Sequence, residues 1–110
     1  MDNLTEKERR ALRELVEGLK ELYGDNLSRV ILYGSKARGN ATKDSDIDIM
    51  IVLKKYGKWS EEFEKVCKIT NEICYRYDIL ISCGIKSEYE FFNRNTPLLL
   101  NIRREGVPLL

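Results

Sequence analysis

Tyr33 to Leu53 reads YGSKARGNATKDSDIDIMIVL: a short apolar run ends in a Gly-Ser turn, a basic loop follows, and an apolar run resumes at two aspartates. From Asp46 to Leu53 the residues alternate. Ile47, Ile49, Ile51 and Leu53 point one way and Asp46, Asp48 and Met50 the other, the pattern of a strand with one core face. Aspartates at i and i+2 on a strand have Cα atoms roughly 6.5–7 Å apart and project from one face, close enough to converge on shared divalent cations. The plainer alternative is a solvated strand head with Lys43 or Arg38 neutralising the charge. The preceding turn favours the cation reading. Gly34 closes a β-branched run, and SKARG has the form of one helical turn whose backbone N–H groups, with the Ser35 hydroxyl, can hold phosphate oxygens. The segment lacks the Lys-Ser/Thr of a P-loop, and the chain has no G-x-G-x-x-G.

Outward from this stretch, residues 5–23 carry Leu12, Leu15, Val16, Leu19, Leu22 and Tyr23 at helical spacing, opened by a capping box from Thr5 to Glu8 and ended by Gly24. Arg29 to Tyr33 is the first strand. Beyond the turn KKYGKW, Ser60 is the expected cap of a second long helix bearing Phe63, Val66, Cys67, Thr70, Ile73 and Cys74. A third strand is expected over Tyr77 to Cys83, with Asp78, Leu80 and Ser82 opposite its apolar side chains. Ser87 and Glu90 form a second capping box, and Thr96, Pro97 and Gly106 punctuate a last short helix. The order α-β-loop-β-α-β-α-α predicts an α/β (α+β) fold, a small mixed sheet with helices packed on one face, in a single domain spanning residues 1–110.

Composition narrows the function classes. Apolar residues make up 43% and charged residues 34%, and the net charge is +1, which suits a globular protein and gives no argument for an extended nucleic-acid track. The chain has no histidine, which removes Ser-His-Asp and Cys-His nucleophiles and histidine-bound zinc. Cys67, Cys74 and Cys83 lack a C-x-x-C pair and read as small buried hydrophobes. No apolar run is long enough to cross a bilayer and the N-terminus is charged, so a cytoplasmic, non-membrane protein is expected.

A phosphate-holding turn beside paired carboxylates, with a third carboxylate at Asp78, supplies the parts for two-metal phosphoryl or nucleotidyl transfer, with two Mg²⁺ ions about 4 Å apart. Gly34-Ser35-x-Ala37-Arg38-Gly39 followed by Ser45-Asp46-x-Asp48 resembles the G-S-x-A-R-G…S-D-x-D signature of the DNA polymerase β-like nucleotidyltransferases. More narrowly the chain resembles the minimal nucleotidyltransferases, or MNT domains, often encoded beside a HEPN-domain partner. That resemblance implies a polymerase β-like fold, metal binding by Asp46, Asp48 and Asp78, and proton removal from the attacking hydroxyl by Asp78. It also implies β- and γ-phosphate binding by Gly34 and Ser35, while Arg38 either contacts phosphate or pairs with Asp44 or Asp46. For the HEPN-paired members it implies AMP transfer from ATP onto a partner tyrosine, silencing a toxin, so a protein adenylyltransferase acting as antitoxin is the expectation. Two alternatives are a small-molecule nucleotidyltransferase working as a homodimer, as aminoglycoside-modifying relatives do, and a non-catalytic module that neutralises its partner by occlusion. A chain this short offers half a cleft, so a second molecule, in a homo- or hetero-oligomer, is expected to complete the acceptor site.

Overall fold

Capping boxes at Thr5 and Ser87 fix where two of the helices start. The structure is a computed structural model that describes residues 4–39 and 46–110; Lys43, Asp44 and the motif's Ser45 lie outside the described residues. Helix α1 spans Glu6–Tyr23: the Thr5 hydroxyl accepts the Glu8 N–H, the Glu8 carboxylate accepts the Thr5 N–H, and the helix stops at Gly24 at φ 53°. The strands are β1 (Leu27–Tyr33), β2 (Ile47–Leu53), β3 (Ile81–Ser87) and β4 (Val107–Pro108), with α2 (Ser35–Arg38) a single turn between β1 and β2. Helix α3 (Trp59–Tyr77) joins β2 to β3, and α4 (Glu88–Asn93) and α5 (Pro97–Glu105) follow.

The sheet order is β3-β2-β1-β4, with β2 antiparallel to β1, parallel to β3, and β4 antiparallel to the far side of β1. A parallel neighbour requires a long crossover, which α3 provides. The mixed sheet is therefore as expected. Ile47, Ile49, Ile51 and Leu53 are buried together with Leu12, Leu15 and Leu19 of α1 and Val66 and Ile73 of α3. Each such side chain contributes about 1.5–3 kcal/mol on leaving water.

The opposite face divides at Asp48. Met50 and Val52 have the parity expected from the alternation, but they are buried, with Ile31, beneath Phe91 of α4 and Leu99 and Ile102 of α5. Helices thus lie on both faces of the sheet rather than on the one expected, and neither Asp46, which is exposed, nor Asp48, which is half-buried, belongs to this second cluster. The last helix is capped as its sequence indicates, by the Thr96 hydroxyl with Pro97 in the first turn and Gly106 beyond the end.

Three local expectations need correction. Helix α3 begins at Trp59, with Lys58 rather than Ser60 at its N-cap and no side-chain cap. Trp59 stacks on Phe63 at a 4.6 Å centroid distance, an i,i+4 pair that favours the earlier start. Helix α3 also continues through Tyr77, so Asp78 is its C-cap in the left-handed conformation and β3 begins only at Ile81. The Tyr77 hydroxyl donates to Glu14 of α1 at 2.8 Å and holds that last turn, a tertiary contact that local alternation does not encode. Finally, Val107–Pro108 forms the short β4 against Leu32 and Ile31, a proline tolerated because the strand is at an edge.

Candidate active site

The antiparallel register of β1 and β2 sets Tyr33 opposite Asp48, and the chain turns away at Gly34 immediately afterwards. Gly34 has φ +76°, and a Cβ built there would lie 2.3 Å from Asp48 Oδ2. Only a residue without a side chain lets the carboxylate lie against this backbone. The Ala37 and Arg38 N–H groups then donate to the Gly34 carbonyl at 3.1 Å each, winding Ser35–Arg38 into α2, and Gly39 caps it at φ 86°. The G-S-x-A-R-G motif is thus a tight turn packed on the second aspartate.

Asp46 is exposed at the head of β2 and Asp48 is half-buried one pleat further in. Burial first, and then the Asp46 charge, push the Asp48 carboxyl above its ordinary pKa, while the Arg38 guanidinium opposes them. A half-buried carboxylate beside a second negative charge is a donor set that a hard divalent cation neutralises, and Mg²⁺ accepts a few carboxylates completed by phosphate and water. The pair fits that ion. Arg38 is exposed and makes no ion pair with Asp46 among the described residues; Asp44 lies outside them. Tyr33, across from Asp48, has its phenol pushed up by burial and by the Asp48 charge.

Asp78 is not brought into this arrangement. It is exposed at the end of α3, and among the described residues no three acidic or thiol side chains are grouped to hold a metal ion. The β3 residue level with Asp48 is Ser82.

Sequence reasoning also missed Lys36, the unassigned position of the motif. Its ammonium is 2.9 Å from Glu8 Oε2, with side-chain exposures of 5% and 8%. Glu8 therefore serves two partners: one oxygen closes the α1 capping box and the other holds the α2 turn. Burial alone would raise the Glu8 pKa, but the Thr5 N–H and the Lys36 ammonium together hold it below the usual carboxylate value. A capping-box glutamate is recognisable in the sequence; its partner across the fold is not. Burial beside Cys67 and Cys74 pushes the Cys83 thiol up to about 12, so it stays protonated at neutral pH, in keeping with its reading as a hydrophobe.

The grooves along α1, one lined by Leu4, Leu12, Val16 and Leu109 and the other by Gly18, Leu22, Ile69 and Ile73, include none of these motif residues. The family described as "Nucleotidyltransferase domain" matches residues 12–109. "Putative protein adenylyltransferase MJ0604" of Methanocaldococcus jannaschii is 35% identical over 101 residues, covering 90% of this chain and 94% of its own length. The fold matches a minimal nucleotidyltransferase structure with TM-score 0.61 and 24% identity, covering 92% of both chains. It also matches a rebuilt structure of tri-AMPylated Shewanella oneidensis HEPN toxin in complex with MNT antitoxin, with TM-score 0.59 and 15% identity over 93% of this chain and 71% of that one.

Proposed function

Because this chain belongs to the nucleotidyltransferase domain family, we propose that it transfers AMP from ATP onto a tyrosine of a HEPN-type partner protein and acts as that partner's antitoxin. The observation that carries the reading is the packing of the Gly34 turn onto Asp48, beside Asp46, at the open end of the sheet. It places a turn suited to phosphate against a carboxylate pair suited to a divalent cation. The curated adenylyltransferase relative supports the reaction class, and the AMPylated HEPN–MNT complex, a fold neighbour, supports the partner class.

In this reading the acceptor hydroxyl oxygen bonds to the α-phosphorus as the α,β-bridging P–O bond breaks, pyrophosphate leaves, and the hydroxyl proton passes to solvent or a carboxylate. Asp46 and Asp48 hold Mg²⁺, which when bound neutralises the triphosphate and acidifies the acceptor hydroxyl. Gly34 and Ser35 hold the β- and γ-phosphates, and Arg38, exposed on the last turn of α2, is free to meet phosphate charge. The open carboxylate face leaves the acceptor side of the cleft to the partner.

The test pairs binding with inhibition. Asp46→Asn with Asp48→Asn should still capture the partner but no longer silence it in cells expressing both. If the variant silences the partner as well as the natural chain does, neutralisation is by occlusion and the catalytic reading is wrong.

A further inference from the structure

The sheet register delivers a third side chain to the pair, and it is not a carboxylate. Strands β2 and β3 are parallel, with Ile47 level with Ile81, Asp48 with Ser82 and Ile49 with Cys83. The flanking residues on both strands belong to the core beneath α1 and α3, so Asp48 and Ser82 share the opposite, open face. Neighbouring strands lie about 4.8 Å apart, which puts the Ser82 side chain one strand from the Asp48 carboxylate. Ser82 is exposed. The Ile47 N–H donates to the Leu80 carbonyl at 2.9 Å, which fixes this register at the level of the site. Asp78 precedes the strand, in the left-handed cap of α3.

Resting on the nucleotidyl-transfer reading above, we propose that Ser82, and not Asp78, is the third protein group of the cation site. The ion is then held by two carboxylates and a neutral hydroxyl, and phosphate oxygens and water complete its shell. Such a site carries less negative charge than a three-carboxylate site, so its cation affinity depends on the nucleotide. The hydroxyl positions the ion or its water and has no role in proton removal, because a serine is a poor base at neutral pH.

The test is Mn²⁺ binding to the full chain, followed by electron paramagnetic resonance with and without a non-hydrolysable ATP analogue. The natural chain should bind Mn²⁺ about tenfold more tightly when the analogue is present. Asp78→Asn, which tolerates the left-handed cap, should leave that affinity within about twofold, Ser82→Ala should weaken it a few-fold, and Ser82→Asp should tighten it by about tenfold, removing most of the dependence on nucleotide. Asp46→Asn with Asp48→Asn should abolish binding. Loss of Mn²⁺ binding in Asp78→Asn, with Ser82→Asp unchanged, overturns the assignment while leaving the nucleotidyl-transfer reading intact. Unaltered binding in the Asp46, Asp48 double variant overturns both.

Discussion

Asp48 is held at odds with its own charge, and that has a measurable consequence. Its pKa is raised by burial and by Asp46, so the folded chain binds this proton more tightly than the unfolded chain does. Its contribution favours folding at acid pH and is lost as pH rises through the folded pKa. In metal-free buffer containing a chelator, Asp48→Asn should therefore melt at or above the temperature of the natural chain, with the difference growing from about pH 4 to pH 7; a lower melting temperature throughout would show that the carboxylate is structurally required. Gly34 is bound to the same residue. Gly34→Ala forces a side chain into left-handed backbone and onto Asp48 Oδ2, so AMP transfer should fall by at least about 100-fold, read by label transfer from ATP. Single residues were the most legible: Asp46, Asp48, Gly34 and Ser35 are close along the chain, and their spacing alone points to the candidate site where the Gly34 turn packs on Asp48. The strand expected from Tyr77 was misplaced because the alternation from Tyr77 to Cys83 suits a strand as well as it suits the packed end of a helix. That Ser82 is level with Asp48 could not be read either, since it is a matter of register between strands separated by α3.

Among the elements, α1 and α2 are joined through Glu8 and Lys36. Substituting Glu8→Ala removes the carboxylate facing a buried ammonium and opens the capping box, and breaking one side of a buried pair costs about 3–5 kcal/mol. Thermal melts should show that loss, and nucleotide affinity should fall with it because the α2 turn is no longer anchored. Replacing Lys36→Met alongside Glu8→Met should recover part of the stability, a non-additivity that a double-mutant cycle measures. The lowered Glu8 pKa gives this pair the opposite sign to Asp48: its contribution is present above the unfolded carboxylate pKa and is lost as pH falls through the folded one. Helix existence and punctuation were legible where caps are local, as at Thr5, Ser87, Thr96 and Gly106. What each helix covers was less so. Nothing in PLLLNIRRE says that Leu99 and Ile102 roof Met50 and Val52 rather than join the larger core.

In the molecule as a whole, two long helices pack on one face of the sheet and two short ones on part of the other, and among the described residues Asp46 and Ser82 are exposed at the same end of β2 and β3. The small net charge suits recognition by shape and by a bound nucleotide more than by long-range attraction to nucleic acid. The alternation of helices and strands made this architecture readable in advance, whereas the acceptor proposed for it is not encoded in this chain. Adenylyl transfer is read most directly with ATP labelled at either the α- or the γ-phosphate, Mg²⁺, and the proposed HEPN-type partner. Only the α-label should appear on the partner, on tyrosine, and Asp46→Asn with Asp48→Asn should abolish it. Transfer of the γ-label, or α-label that persists in the double variant, would contradict that reading.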